Sequence, residues 1–266
     1  MERTIVKIGG HIAELLCLSG KASKFVEDNY QEYIDTTGAG TDITIKLTSE
    51  YGMPFVDYLV EIEEKPDKIL FRRADYLIEV NAAFSQAKIM FYDGLALKHA
   101  LMNLYSSFII HHNWGLLVHS SCVVENGNAH IFCGISGAGK STVAELSMPR
   151  QILSDEATIL KITDQEITVF NSPFRSEIKA LGQQQTAPIQ SIELLYQSLR
   201  NKQLRLKKTE ALLELIDKVF YWSYKEEDTI KVFRLLMQLV NNVSVNRLHF
   251  RKDDTFWELI TDEVYS

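Results

Sequence analysis

Residues 115–142 read GLLVHSSCVVENGNAHIFCGISGAGKST. Two β-prone runs, Leu116–Val124 and Ala129–Cys133, flank Glu125-Asn126-Gly127-Asn128. Asn-Gly is a strong hairpin signal, because both residues reach positive φ at low cost. The hairpin feeds Gly134-Ile135-Ser136-Gly137-Ala138-Gly139-Lys140-Ser141, which matches G-x-x-x-x-G-K-[ST] throughout. In such a loop the glycines let backbone N–H groups turn inward onto phosphate oxygens. Lys140 is placed for the β- and γ-phosphates, the Ser141 hydroxyl suits Mg²⁺, and Thr142 continues into a helix expected over Lys140–Ser147. A chance match in a glycine turn is the bland alternative. The apolar strand before the loop and the helix after it favour nucleotide binding.

Outward from the loop, Leu95–His112 carries apolar residues at helical spacing. Upstream, residues 1–93 look mostly β, with short runs at Thr4–Ile8, Ile43–Leu47, Lys68–Arg72, Tyr76–Val80 and Ala87–Tyr92. Downstream come a short β-prone run, Gln151–Ser154, and a second hairpin from Ala157–Ile162 and Glu166–Phe170. The last third reads as mostly helical, over Ile189–Leu199, Glu210–Tyr224 and Asp228–Val240, before a strand at Ser244–Phe250. The fold class expected is α/β with a mixed α+β sheet. A β-rich N-terminal region, 1–93, precedes a nucleotide-binding catalytic core, 94–266.

Composition narrows the setting. The chain has 266 residues, 46% of them hydrophobic and 24% charged, with a net charge of −7, which does not suggest nucleic-acid affinity. Three widely spaced cysteines, with no zinc-type spacing, point to a reducing cytoplasm. Neither a signal peptide nor an apolar run of about 20 residues is visible, so no membrane partner is expected.

A phosphate loop needs a carboxylate for its metal, and Asp155-Glu156 is the first acidic pair after it. One carboxylate can hold Mg²⁺ while the other takes a proton from an acceptor hydroxyl; a solvated pair at a strand end is the alternative. His119 shares a strand face with Leu117 and Ser121 and could approach the phosphates, or be structural. Arg175, after the turn at Pro173, is a candidate catalytic residue that could clamp phosphate or neutralise the transition state, or it could form a surface ion pair. Lys202, Arg205, Lys207 and Lys208 read as a solvated basic face.

The stretch quoted above, with L-S-D-E at 153–156, S-P-F-R-S-E at 172–177 and V-N-R-L-H-F-R-K-D-D-T-F-W at 245–257, resembles the HPr kinase/phosphorylase family. That family is related in fold to the ATP-dependent phosphoenolpyruvate carboxykinases. The resemblance implies a P-loop kinase core of that type from about Gly115 onward, using ATP and Mg²⁺. It places catalytic roles at His119, Lys140 and Asp155, and metal ligation at Ser141, Asp155 and Glu156. Glu156 departs from the paired aspartates of the full-length enzymes, and residues 1–93 do not match their N-terminal domain. Phosphorylase activity and a hexamer are not carried over, and whether the chain forms a homo-oligomer stays open. Short relatives include lasso-peptide precursor kinases, which implies a serine hydroxyl of a peptide or small protein as acceptor. A small-molecule phosphotransferase and a non-catalytic nucleotide sensor are the alternatives.

Overall fold

The computed structural model describes residues 1–176, 178 and 185–262; Glu177, the last residue of the S-P-F-R-S-E motif, lies outside them. Two compact units result, Met1–His111 and His112–Ser266. The division falls after His111 rather than after Asp93, because the intervening helix packs on strands of the first unit.

The first unit runs β1 (Glu2–Ile8), β2 (His11–Cys17), α1 (Gly20–Tyr30), β3 (Ile43–Ser49), β4 (Glu61–Glu64), β5 (Lys68–Arg73), β6 (Tyr76–Asn81), β7 (Gln86–Phe91) and α2 (Gly94–His111). Its seven strands order as β1-β2-β3-β7-β6-β5-β4, with β2–β3 and β3–β7 parallel and the other pairs antiparallel. Sequence reading had left α1 out of this β-rich region. Its signals are Ser19, whose side chain accepts from the Ala22 N–H, and buried Ala22, Val26 and Tyr30 at four-residue spacing.

The second unit runs β8 (Gly115–Glu125), β9 (Asn128–Cys133), α3 (Lys140–Leu146), β10 (Gln151–Ser154), β11 (Ala157–Ile162), β12 (Ile167–Phe170) and β13 (Thr186–Gln197). It continues through β14 (Lys202–Arg205), α4 (Lys208–Leu215), α5 (Glu226–Asn242), β15 (Ser244–Phe250) and α6 (Phe256–Asp262). The chain is therefore the mixed α+β protein expected, but its second sheet is not open. β8 pairs with β11, β11 with β12, β12 with β13, β13 with β9 and β9 with β8, closing a five-strand barrel. β10, β15 and β14 extend that sheet outside the ring. The hairpin before the loop forms with Asn126 at φ 50° and Gly127 at φ 82°, the doubly positive turn that Asn-Gly favours.

Two segments expected to be helical are corrected. Ile189–Leu199 falls largely in β13, whose residues Ser191–Leu195 are buried without alternation. β9 and β15 both pair with that strand in parallel, which makes it an interior strand of the sheet. Glu210–Tyr224 starts as α4, tightens into a 3-10 turn at Ile216–Lys218, and then extends. There Val219 bridges to Val118, and the Phe220 N–H donates to the Leu117 carbonyl at 2.9 Å.

One core cluster supports the loop from below. Phe132, Val143, Ala144, Phe250, Phe256 and Trp257 are buried together. Each such side chain contributes about 1.5–3 kcal/mol by leaving water. No helix among the described residues is long and apolar enough to cross a membrane.

Candidate active site

β9 ends at Cys133 and hands the chain to the glycine loop. Gly137 and Gly139 sit at φ 79° and 107°, conformations that side chains rarely adopt. A Cβ on Gly134 would stand 2.5 Å from the Ala138 Cβ, and one on Gly139 would stand 2.7 Å from the Phe250 Cζ. Bare backbone is therefore required at both ends of the curl. Within it the Ala138 N–H donates to the Ile135 carbonyl at 3.1 Å, and the Gln197 amide donates to the Gly137 carbonyl at 2.9 Å.

Lys140 opens α3 and folds back into the curl. Its Nζ donates to the carbonyls of Gly134 at 3.0 Å and Ile135 at 3.2 Å. Burial pushes this ammonium below the usual lysine range, and Lys218 pushes in the same direction. The backbone carbonyl of Lys140 accepts from the Ser121 hydroxyl at 3.0 Å, which ties the start of α3 to β8.

The acidic pair lies across β8 from β9, between β10 and β11. Asp155 is buried and held in one orientation: the Ser176 N–H reaches both carboxylate oxygens at 3.1 and 3.2 Å, and the Ile178 N–H donates at 2.9 Å. Glu156 is half-buried. Its carbonyl accepts from the Ser120 N–H at 3.1 Å, and the next residue, Ala157, is the register partner of His119. Arg175, read as a phosphate clamp or a surface ion-pair residue, has its guanidinium engaged by backbone carbonyls. It donates to the carbonyls of Ile152, Leu153 and Ile178 and to the Asn171 side chain, at 2.7–3.2 Å. Those bonds brace the segment that orients Asp155.

His119 lies beside the Phe220 ring, with centroids 5.5 Å apart. Burial, then the positive charges of Lys140 and Lys218, hold its imidazole down to about 4. At neutral pH the ring is uncharged, able to donate or accept a hydrogen bond but adding no positive charge.

These groups converge on one cavity of about 340 Å³. It is lined by His119, Ser136, Gly137, Gly139, Lys140, Ser141, Thr142, Asp155, Glu156, Ser176 and Gln197. Gly134 and Ala138 face a second cavity of about 470 Å³ with Ile135, Leu194–Gln197, Glu214 and Lys218; Ser136, Gly137 and Gln197 border both. Sequence reading gave no role to Ser176, though it lies in the quoted S-P-F-R-S-E motif, and missed Gln197 and Lys218, which no local signal marks because barrel pairings bring them in from distant segments.

Among the described residues no group of three or more His, Cys, Asp or Glu is placed to hold a metal. A magnesium ion carried with a nucleotide needs less. One or two carboxylates, a hydroxyl and the phosphates satisfy it, and Asp155, Glu156 and Ser141 on one cavity wall are hard oxygen donors of that kind.

A family described as SynChlorMet cassette protein ScmC matches residues 82–265, most of the chain. That finding corrects the assignment suggested by the motifs: the matching family is not the HPr kinase/phosphorylase family. No curated protein matches the chain.

Proposed function

We propose, for a chain that belongs to the ScmC family of SynChlorMet cassette proteins, that it is an ATP- and Mg²⁺-dependent kinase acting on a serine hydroxyl of a peptide or small protein. The observation that carries this reading is the meeting of the phosphate loop and the acidic pair in one cavity. A loop alone supports nucleotide binding. A buried, oriented carboxylate beside it adds a group for the acceptor's proton.

In this reading the barrel and its outer helices serve as the kinase core. The loop backbone and Lys140 hold the phosphates, Lys140 exchanging its contacts to the Gly134 and Ile135 carbonyls for phosphate oxygens. The acceptor oxygen attacks the γ-phosphorus, and a new P–O bond forms as the bond to the β–γ bridging oxygen breaks. ADP leaves with that electron pair, and the acceptor's proton passes to the Asp155 carboxylate. Ser141, Asp155 and Glu156 would hold Mg²⁺, which would supply positive charge against the charge developing on the phosphoryl oxygens. His119, uncharged, donates a hydrogen bond to the acceptor or to phosphate. Arg175 acts as a positioning residue, through the Ser176 and Ile178 N–H groups that aim Asp155.

Incubation with γ-labelled ATP, Mg²⁺ and serine-containing peptides tests the proposal. The word cassette in the family description makes proteins encoded beside this one the first acceptors to try. Transfer is expected with the wild type and lost in Asp155→Asn, while affinity for ATP without Mg²⁺ stays within about threefold. Absence of ATP binding by the wild type sinks the reading. Transfer to small metabolites alone would replace the peptide acceptor.

A further inference from the structure

The pairing along β8 places one further cation at the foot of the phosphate loop. β9 accompanies β8 from Glu125 back to Ser120, opposite Cys133, and then departs into the loop. On that side of β8 the next partners are Val219, bridged to Val118, and Phe220, bonded to Leu117. The stretch after α4 thus takes up the place that β9 vacates. Lys218, immediately before it, is delivered to the point where the loop begins.

Lys218 lines the larger cavity with the outer side of the loop. This cavity is walled by Ile135, Leu194, Leu195 and Tyr196, with Gln197 and Glu214 as polar groups, a composition suited to a nucleoside. The acidic pair is confined to the smaller cavity. A nucleotide with its γ-phosphate beside Asp155 therefore runs over the loop and ends in the larger one.

Resting on the nucleotide reading above, we propose that Lys218 is a second phosphate-binding cation. It holds the chain on the nucleoside side of the loop, while Lys140 holds the end nearer the acidic pair. Two lysines flanking one loop oppose one another, and Lys218 contributes to lowering His119. A polyanion between them removes that opposition. Until it arrives, Lys218 is neutralised by the neighbouring Asp217 carboxylate at 2.7 Å, an outward-facing partner with 63% of its side chain exposed. With its carboxylate in solvent, Asp217 can exchange for a phosphate oxygen while Lys218, 11% exposed, stays in place.

Calorimetric titration of wild type, Lys218→Gln, Lys218→Arg and Asp217→Asn with ATP, ADP and adenosine decides the matter. Lys218→Gln is expected to weaken ATP and ADP by roughly ten- to hundredfold, the loss of one charge-assisted phosphate contact, and to leave adenosine unchanged. Lys218→Arg should retain most of the affinity. Asp217→Asn, by removing the competing carboxylate, should tighten ATP by roughly two- to fivefold. In the ligand-free Lys218→Gln protein the His119 resonance should titrate at higher pH than in wild type.

Equal ATP affinity in wild type and Lys218→Gln overturns the assignment while leaving the kinase reading intact. Equal losses for all three ligands overturn it too, since they report a structural role. Should Lys218→Gln fail to fold, Asp217→Asn decides alone: tighter ATP supports the assignment, and unchanged or weaker ATP overturns it. A wild type that binds no ATP removes the nucleotide reading, and this proposal with it.

Discussion

Gly139→Ala combines two costs that the structure separates. Gly139 has φ 107°, and holding an alanine there costs about 1–3 kcal/mol. The added methyl would stand 2.7 Å from the Phe250 Cζ, against about 3.5–4.0 Å for ordinary carbon contact. Phe250 cannot swing clear. It is buried, edge-on to Phe256 with centroids 6.0 Å apart, so overpacking adds about 1–3 kcal/mol. The expected total is about 2–6 kcal/mol, with nucleotide affinity falling as the curl is pushed away from Phe250. Gly137→Ala is the control. Its φ is 79° with nothing within 4 Å of the new methyl, so only about 1–2 kcal/mol is expected. Urea unfolding of Gly139→Ala, Phe250→Leu and the double variant isolates the contact as a coupling energy. A coupling near zero, or a Gly139→Ala loss no larger than that of Gly137→Ala, refutes the packing argument.

Acid should destabilise the protein well before its carboxylates titrate. His99, His119 and His130 are each held down to about 4, chiefly by burial, against about 6.5 when unfolded. The unfolded chain binds protons that the native one refuses, so the stability is present above pH 6.5 and lost as pH falls through 4. About 1–3 kcal/mol per histidine is at stake, and NMR titration midpoints near 6.5 would contradict the account. Arg175→Lys, unable to serve three carbonyls and Asn171 at once, should cost about 2–4 kcal/mol and lower turnover more than ATP affinity. Equal effects on kcat and on ATP binding would count against its role as a positioning residue. Trp257→Ala should cost about 3–5 kcal/mol in urea, because that ring is buried under α3, donates to Ser147 at 3.0 Å and lies beneath Arg150.

The loop and its hairpin were legible in the sequence because their geometry is enforced by residues next to one another. Asn126-Gly127 needs no distant partner to turn, and Gly134 to Ser141 states its own curvature. Asp155 and Glu156 were legible by their position after a strand. β13 was not, since its interior place in the sheet comes from pairing with β9 and β15, each more than 40 residues away. Lys218 was invisible for a similar reason: its placement depends on a backbone bridge between Val219 and Val118, about 100 positions apart. Arg175 was legible as a site-associated arginine but not in its direction. Three carbonyls decide that direction, and no spacing rule encodes them.

The closed ring of β8, β11, β12, β13 and β9 bears on the order in which this protein acquires its site. Hairpins β8–β9 and β11–β12 join neighbours in the chain and can form early. The β9–β13 seam joins residues about 60 positions apart and carries the larger loop-closure cost, so it is expected to form after them. Cys133, the residue that launches the glycine curl, lies at the end of that seam, opposite Leu194. The glycine curl and the closed barrel are then completed together. Once the ring is shut, the Ile131–Cys133 amides have no frayed edge through which to exchange with solvent, and they are released only when the whole unit opens.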